Sequence, residues 1–290
     1  MATGAGSLWV AVAARQVPGA GELVRLDPVS GQPVGTTAFD GYPLTLSWGE
    51  GRAWVLTVGA DTALHAVAVD VASGQVVVDE PVPGAILGSS PVAHLAVTTG
   101  AVWVALRDGS GDRLVRLDAG TGRLVTAIAL PGAPAALAGG DAVWVGTDEG
   151  RLVRVDPGSN RLTTDADLGA AVLDVAAERG SVWASARTRG HTVDLLRIDA
   201  TSGEVAARTG IPVSVVETGR GRVWVANYGY PPPAFTGFIA ELDPATTTLA
   251  RTTSVLTVSN NGISGLAVGE STVWAVNSYA GSVTGFRTAP

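Results

Sequence analysis

Apolar and polar positions follow one another along this chain in short runs of strand length, and the runs recur as one long repeat. No stretch shows the 3.6-residue periodicity of a helix. In each repeat, one apolar run carries a tryptophan between small apolar residues: Trp9, Trp54, Trp103, Trp144, Trp183, Trp224 and Trp274. Their spacing ranges from 39 residues, between Trp144 and Trp183, to 50 residues, between Trp224 and Trp274. Seven copies of one unit indicate a repeat fold.

Two further markers recur between the tryptophans. One is an aspartate that ends a strand-like run and opens a turn of the type D-P-x-[ST]-G, at Asp27, Asp70, Asp118, Asp156, Asp199 and Asp243. Aspartate accepts backbone N–H bonds in such a turn, and glycine tolerates positive φ. The other is an apolar residue seven or eight positions before the next tryptophan, at Leu46, Leu95, Leu137, Val175, Val216 and Leu266.

The markers divide each repeat into four strands, a to d. Strand a carries the apolar marker, strand b the tryptophan, strand c ends in the aspartate, and strand d follows the turn. We therefore predict an all-β fold, a seven-bladed β-propeller of four-stranded antiparallel blades, as a single domain over residues 1–290. The seventh copy stops in strand c near Phe286, so its blade has three strands or the chain is a fragment. The alternative is six blades with a disordered end.

We interpret the repeat tryptophans as packing between blades, each burying roughly 150–250 Å². The alternative is a stacking platform for a ligand. The eighth tryptophan, Trp48, lies outside the pattern. An arginine often stands two positions before the aspartate, and we expect it to lie on the blade surface and to bridge neighbouring blades. These arginines are Arg25, Arg116, Arg154 and Arg197.

The b–c and d–a connections vary in length, whereas the a–b and c–d turns are uniformly short. Alternate connections lie at the same end of a blade, and length variation at one end of a repeat protein commonly marks its binding face. We call this end the loop face. Its variable segments include 107–113, 187–192, 228–236 and 258–262. The candidate ligand-binding residues there are Arg107, Arg187, Asn227, Tyr228, Tyr230 and Asn277. A loop that packs over its own blade is the alternative for the Tyr- and Pro-rich segment.

His94 and Asp174 stand out at the position before the apolar marker of strand a, where the other repeats carry small, apolar or hydroxyl residues. Strand a is the strand nearest the propeller axis, so both are candidates for a site at the mouth of the central channel. A histidine and a carboxyl there serve acid–base catalysis or ligand binding. A structural histidine and aspartate with satisfied hydrogen bonds are the alternative.

Composition and charge narrow the classes of function. The net charge of −7 and pI near 4.9 argue against a nucleic-acid partner. Without cysteine or lysine, the chain has no disulfide, no thiolate nucleophile and no Schiff-base lysine. The chain has no uninterrupted run of 18 apolar residues, so the sequence predicts no transmembrane helix. No signal peptide is recognised, so a cytoplasmic protein and an extracytoplasmic domain both remain open, and we expect a monomer.

Three motifs resemble the repeats of the YncE/YVTN-type and PQQ-like bacterial β-propellers. They are VWVAN (Val223 to Asn227), LVRLDPVSG (Leu23 to Gly31) and PAALAGG (Pro134 to Gly140). The resemblance covers essentially the whole chain. It implies a propeller fold and a role as a sensor, scaffold or binding domain.

Two enzyme families are similar more distantly. Virginiamycin B lyase has a similar blade pattern, and that family uses histidine and glutamate with a divalent metal. Here no glutamate stands three residues after a repeat tryptophan, and His94 lies one residue before the apolar marker rather than two. Quinoprotein dehydrogenases share the turn at Asp118–Gly122, but many carry a vicinal cysteine disulfide that this chain lacks. We therefore expect no metal and no cofactor.

Two hypotheses of function follow. The first is a binding, sensor or scaffold propeller that recognises a protein, peptide or small ligand on the loop face. The second is a non-redox enzyme, a lyase, cyclase or hydrolase, that uses His94 and Asp174 at the channel mouth.

Overall fold

The computed structural model describes residues 1–14, 19–86, 93–188, 192–227, 236–256, 263–277 and 281–288. The described residues form 27 strands, which pair antiparallel in seven sheets, one for each copy of the sequence repeat. In every sheet the strands lie side by side in chain order. The chain has the seven-bladed β-propeller fold that its repeat predicts.

The first four blades each contain four strands. Blade 1 consists of β1 (Ala2–Gly4), β2 (Ser7–Ala13), β3 (Ala20–Leu26) and β4 (Pro33–Asp40). Blade 2 consists of β5 (Tyr42–Gly49), β6 (Arg52–Val58), β7 (Ala63–Asp70) and β8 (Val76–Ile86). Blade 3 consists of β9 (Ala93–Thr98), β10 (Ala101–Asp108), β11 (Gly111–Asp118) and β12 (Leu124–Ala129). Blade 4 consists of β13 (Pro134–Gly139), β14 (Val143–Thr147), β15 (Arg151–Asp156) and β16 (Arg161–Asp167).

The remaining blades follow the same order. Blade 5 consists of β17 (Ala171–Glu178), β18 (Ser181–Arg187), β19 (Val193–Asp199) and β20 (Val205–Arg208). Blade 6 consists of β21 (Val215–Gly219), β22 (Arg222–Ala226), β23 (Thr236–Asp243) and β24 (Thr248–Leu256). Blade 7 has three strands within the described residues, β25 (Gly265–Val268), β26 (Thr272–Asn277) and β27 (Ser282–Arg287).

The chain packs as two compact units. Unit 1 comprises residues 1–143 and 156–161, and unit 2 comprises residues 144–155 and 162–290. Blades 1 to 3 lie in unit 1 and blades 5 to 7 in unit 2, whereas the strands of blade 4 are divided between the units. The assignment of the chain to a single domain stays a prediction.

Burial decreases in a regular way from strand b to strand d. All five residues of β14 and the first six of β10 are buried, which explains why strand b is a continuous apolar run. Strand c mixes buried and half-buried positions, as in β15. Strand d is mostly exposed, as in β12, where Leu124 and Val125 are 47% and 51% exposed.

Four of the repeat tryptophans lie in hydrophobic clusters that join neighbouring blades, and none of the seven is more than 6% exposed. Within each unit, a tryptophan shares its cluster with the apolar strand-a marker of the next blade. The pairs are Trp9 with Leu46, Trp54 with Leu95, Trp183 with Val216, and Trp224 with Leu266. The interpretation of these tryptophans as packing between blades is confirmed. Trp48, outside the repeat, stacks on Trp9 with the ring centroids 6.4 Å apart.

The aspartate turns form as the sequence predicts. Asp118 Oδ1 accepts hydrogen bonds from the backbone N–H groups of Gly120 (3.1 Å) and Thr121 (2.9 Å) and from the Thr121 hydroxyl (2.8 Å). The Thr121 hydroxyl and these amides favour the ionised carboxyl, so they hold the pKa of Asp118 below its ordinary value. The same turn occurs at Asp27, Asp70, Asp156, Asp199 and Asp243.

A β-bulge interrupts the pairing of strands c and d at the same place in blades 1, 2, 3, 5 and 6. In blade 3 the register shifts between Arg116 and Leu117, one residue before the turn aspartate Asp118. The shifts in the other blades fall at the equivalent positions. A bulge strengthens the local twist of the strand that carries it.

The repeat arginines lie over the tryptophan rings of their own blades, with Cζ between 5.3 and 6.0 Å from the ring centroid. Among the described residues, however, bridging between blades is seen for Arg116 and not for the other three. Arg116 Nη1 donates to the Pro157 carbonyl (2.7 Å) and to Asn160 Oδ1 (2.5 Å) in the turn of blade 4. The other three bond within their own blades, to Ser7, Thr163 and Ser181. The expectation of bridging was therefore wrong for these three.

We predict that Arg116→Ala lowers the free energy of unfolding by about 1–3 kcal/mol, because it removes a cation–π contact and two hydrogen bonds between blades. Urea unfolding at neutral pH measures the loss. Arg123→Ala is the matched control, since Arg123 is exposed and its side chain has no hydrogen bond within the described residues. A change of less than about 0.5 kcal/mol is expected for the control. Equal effects of the two substitutions would contradict a bridging role.

Candidate functional site

A half-buried carboxyl lies on strand a of blade 5, where the sequence placed a candidate catalytic residue. Asp174 follows a register shift in the pairing of β17 with β18, between Val172 and Asp174. Its Oδ1 accepts the N–H of Val175 (3.0 Å), and its Oδ2 accepts the N–H of Val216 (2.9 Å) on β21 of the next blade. Burial raises the pKa of Asp174 to about 7, although the two backbone N–H bonds act in the opposite direction.

A second carboxyl belongs to the residue that directly follows Val216. Glu217 Oε1 accepts the backbone N–H of Thr218 (3.0 Å). Burial and, next, the negative charge of Asp174 raise the pKa of Glu217 to about 8. We call Asp174 and Glu217 the carboxyl pair. With pKa values near 7 and 8, Glu217 is mostly protonated at neutral pH and Asp174 is close to its midpoint, so the pair can donate a proton or accept one.

Glu217 was missed in the sequence reasoning, although a signal for it exists. The residue directly after the apolar marker of strand a is small or hydroxylated in the other repeats, and in blade 6 alone it is charged. These residues are Ser47, Ala96, Ala138, Ala176, Glu217 and Ala267. Comparing the repeats at the position before the marker reveals Asp174. Glu217 is revealed only when the position after the marker is compared.

His94, the other candidate catalytic residue, lies on β9 in unit 1. Its imidazole forms a hydrogen bond with the backbone of Pro134, whose carbonyl is the acceptor because proline has no N–H. Burial lowers the pKa of His94 to about 4, so the ring is neutral near pH 7. Its Nε2 is buried and has no hydrogen-bond partner among the described residues. Asp174 lies in the other unit, where it is brought together with Glu217.

The candidate ligand-binding residues lie at the ends of strand b. Arg107 is exposed on 56% of its side chain and is held by Asp112, with Nε 2.5 Å from Oδ1 and Nη2 2.9 Å from Oδ2. Arg187 is exposed at the last position of β18. Asn227 and Asn277 are half-buried, and the backbone N–H of Asn227 donates to the Phe238 carbonyl (3.3 Å). Tyr228 and Tyr230 lie outside the described residues. Their role as ligand-binding residues stays a prediction.

One loop-face aromatic escaped the sequence reasoning. Tyr42 begins β5 in the d–a connection between blades 1 and 2, and it is 57% exposed. The sequence analysis does not single it out, because only one residue, Gly41, separates β4 from β5 and the connection is not an insertion. An exposed tyrosine offers a large contact area with few rotatable bonds.

A metal-binding cluster and a membrane-spanning helix are both absent from the described residues. These residues contain no cluster of three or more histidine, aspartate or glutamate side chains arranged to hold a metal ion. No helix among them has the length and apolar character needed to cross a membrane.

Comparison with known proteins gives the fold and no function. No protein-family model matches the chain, and no curated protein matches it. Among solved structures, the chain is similar to the crystal structure of the computationally designed Ika8 protein, with a TM-score of 0.63 and 17% sequence identity. The similarity covers 92% of this chain and 77% of that one. At this identity the likeness is one of fold alone.

The carboxyl pair predicts a fall in stability with rising pH. The folded chain keeps protons on Asp174 and Glu217 up to about pH 7 and 8, whereas the unfolded chain releases them near the ordinary values of 3.8 and 4.5. The folded state therefore binds more protons between these limits, and the free energy of unfolding falls as the pH rises. Glu217→Gln should reduce this fall by about 1–2 kcal/mol between pH 6.5 and 8.5.

Urea unfolding at several pH values in this window measures the effect. Unfolded His94, with its ordinary pKa of 6.5, still binds some proton at the lower end of the window, but this contribution is the same in wild type and variant and cancels in the comparison. Glu204→Gln is the control, since Glu204 is an exposed glutamate in the same unit. The control should keep the wild-type fall. The same fall in Glu217→Gln as in the wild type would contradict the assignment.

Proposed function

We propose that the protein is a binding propeller that recognises a protein, peptide or small ligand through its loop face. The observation that carries this proposal is the b–c hairpin of blade 3, in which β10 and β11 pair without interruption up to Asp108 and Gly111. The corresponding strands of blade 4 are shorter, with five and six residues against eight and eight. The hairpin therefore extends the sheet towards the loop face.

Two ion pairs fix the shape of this hairpin. Arg107 and Asp112 are directly opposite each other in the register and form the bidentate pair described above. Asp108 accepts from Arg113, whose Nη2 also donates to the Pro83 carbonyl (3.1 Å) on β8 of blade 2. The side chain of Asp108 has no exposed surface, and that of Arg113 is 16% exposed.

These contacts support a preorganised binding surface. The Asp108–Arg113 pair ties the hairpin to its neighbouring blade, while the guanidinium of Arg107 is held in one orientation and remains exposed. A rigid exposed arginine loses little entropy on binding, and arginine is enriched at the energetic centres of interfaces. Exposed Tyr42 and Arg187 add to the loop face within their own units. The resemblance to YncE/YVTN-type and PQQ-like repeats supports the same class of function.

The test starts with a peptide array and a glycan array probed with the wild-type protein. Each bound probe is then measured with Arg107→Ala, Arg187→Ala and Tyr42→Ala. At least one of these substitutions should weaken binding about tenfold or more, since truncation of an anchor residue costs about 2 kcal/mol. Arg123→Ala and Arg208→Ala are the controls, because both arginines are exposed on strand d or the c–d turn. Loss of binding in the controls and not in the loop-face variants would refute the proposal.

An enzyme is the second candidate, favoured by the carboxyl pair. Carboxyls with a pKa near 7 or 8 are suited to general acid–base catalysis at neutral pH, and such shifts cluster at functional sites. The class would be a non-redox lyase, cyclase or hydrolase. Asp174 and Glu217 would act as acid and base. His94, in unit 1, is a separate candidate that its own variant tests.

A panel of esters, lactones and glycosides tests this candidate. Turnover should fall by about 10²-fold or more in Asp174→Asn or Glu217→Gln if the pair transfers the proton. His94→Ala should abolish turnover without unfolding the protein if His94 takes part. Wild-type rates in all three variants would exclude the proposed site.

A further inference from the structure

A groove of about 290 Å³ lies between blades 5 and 6, at the end of the blades opposite to the loop face. It is bordered by the a–b turn of blade 5 and the c–d turn of blade 6, both in unit 2. Its polar wall includes Arg179, Ser181, Arg197 and Thr218, and its apolar wall includes Trp183 and Pro244. We call it the arginine groove.

Arg197 is the central cation of the arginine groove. Its guanidinium lies over the ring of Trp183, with Cζ 5.9 Å from the centroid, and its Nε donates to Ser181 Oγ (3.2 Å). Its two terminal nitrogens have no hydrogen-bond partner among the described residues. Arginine binds carboxylates through such nitrogens, in a planar fork that matches two oxygens.

Arg116, the corresponding arginine of blade 3, has hydrogen-bond partners in the next blade, and Arg197 has none there among the described residues. Arg116 lies over Trp103 and donates to the Pro157 carbonyl and to Asn160 Oδ1 in the turn of the next blade. In blade 6 the position of Asn160 is taken by Thr247, whose hydroxyl donates to the Thr246 carbonyl instead. The side-chain acceptor of Asn160 therefore has no counterpart for Arg197. The carbonyl of Pro244, which corresponds to that of Pro157, has no hydrogen bond with Arg197, and both residues line the groove.

Arg179 supplies a second cation at the rim. Its guanidinium rests against Gly221, where an added Cβ would lie 2.7 Å from Nη1, and its side chain is 74% exposed. Glu178 is partly neutralised, because its Oε1 accepts the Gly221 N–H (3.0 Å) and lies 3.7 Å from Arg179 Nε. Two arginines and one glutamate give a local charge of +1 in a protein whose net charge is −7. This balance suits a monoanion better than a dianion.

We propose that the arginine groove binds the carboxylate of a small organic acid or of a peptide C-terminus. The carboxylate would accept hydrogen bonds from the terminal nitrogens of Arg197 and pair with Arg179, in the place where Asn160 and a turn carbonyl satisfy Arg116. The ligand's apolar part would contact Val223, Pro244 and Ala245. This site lies at the end of the blades opposite to the loop face. It neighbours the carboxyl pair, because the Thr218 N–H on its wall donates to Glu217.

The repeat offers a matched control for the test. Arg25 lies 5.5 Å from the Trp9 centroid and its Nε donates to Ser7 Oγ (2.8 Å), as Arg197 does with Trp183 and Ser181. The residue at the position of Arg179 is Ala5, so the second cation is absent there. Arg25→Gln and Arg197→Gln thus remove the same contacts within the blade, and only Arg197→Gln removes the proposed site.

The experiment is an ¹H–¹⁵N NMR titration of the full chain with N-acetylalanine, butyrate, inorganic phosphate and the neutral N-acetylalanine methylamide. We expect both carboxylates to shift the Trp183 indole N–H saturably, with weaker binding in 0.5 M NaCl, and the methylamide to have no effect. Affinity should fall about tenfold in Arg197→Gln and about threefold in Arg179→Ala, and it should be unchanged in Arg25→Gln. Tighter binding of N-acetylalanine than of butyrate would assign a peptide terminus, and equal binding a free acid.

Three results would overturn the proposal. Unchanged carboxylate affinity in Arg197→Gln would place binding elsewhere, and an equal loss in Arg25→Gln would trace it to a general effect on the blades. Tighter binding of phosphate than of either carboxylate would exclude the ligand class. Because Arg179 is exposed, Arg179→Ala keeps the test valid even where substitution of Arg197 affects folding.

Discussion

The fold depends on one contact between neighbouring blades, in which the tryptophan of strand b packs with the apolar strand-a marker of the next blade. Strand b is buried on both faces, and a blade alone would leave both of those faces in water. The strand-b tryptophan and the apolar strand-a residue, which are the two most regular markers in the sequence, are the two partners in this contact. The distance between tryptophans varies from 39 to 50 residues because the connections absorb the difference, while the packed positions stay the same.

Features with a chemical role arise where one repeat departs from this shared framework. Arg116 is satisfied by the next blade, whereas Arg197 has the same place in its blade and no acceptor beyond it. In blade 2 the arginine is replaced by Ala68, and Arg52 on strand b reaches the Ala119 and Gly120 carbonyls of blade 3 instead (2.6 and 3.1 Å). One structural task is thus met by different residues at different boundaries, whereas Arg25, Arg154 and Arg197 form hydrogen bonds only within their own blades among the described residues.

The sequence predicts the blades and the turns because both follow from local patterns. The number of repeats, the buried tryptophans and the turn bonds of Asp118 are all encoded within a few neighbouring residues. The arginine contacts were predicted less well, because their acceptors lie about 40 residues away, in the turn of another blade. Arg116 bridges because Asn160 in the next blade accepts its hydrogen bond, whereas the next blade has Thr247 at that position for Arg197. The sequence of a single repeat does not show which residue of the next repeat its arginine will meet.

The candidate site was predicted in part for the same reason. Asp174 was found as a polar exception within its own strand, but the raised pKa of its carboxyl comes from burial, and the residue it is coupled to, Glu217, lies on the next blade. His94 was found by the same comparison, and its low pKa follows from burial that the sequence does not reveal. The b–c hairpin of blade 3 was recognised as an insertion, whereas the ion pairs that stiffen it required the register of β10 and β11.

The bulge that precedes the turn aspartate in blades 1, 2, 3, 5 and 6 bears on how copies of this protein meet one another. Strand d is the last strand of its sheet, and on β12 it exposes Leu124 and Val125 beside an edge without a neighbouring strand in the blade. A flat apolar edge of this kind is a template for pairing with an edge from another molecule. The register shift between Arg116 and Leu117 twists the ladder just where β12 begins, so two such edges cannot align over their full length. The irregularity in the ladder thereby protects the rim of the blades against intermolecular sheet growth.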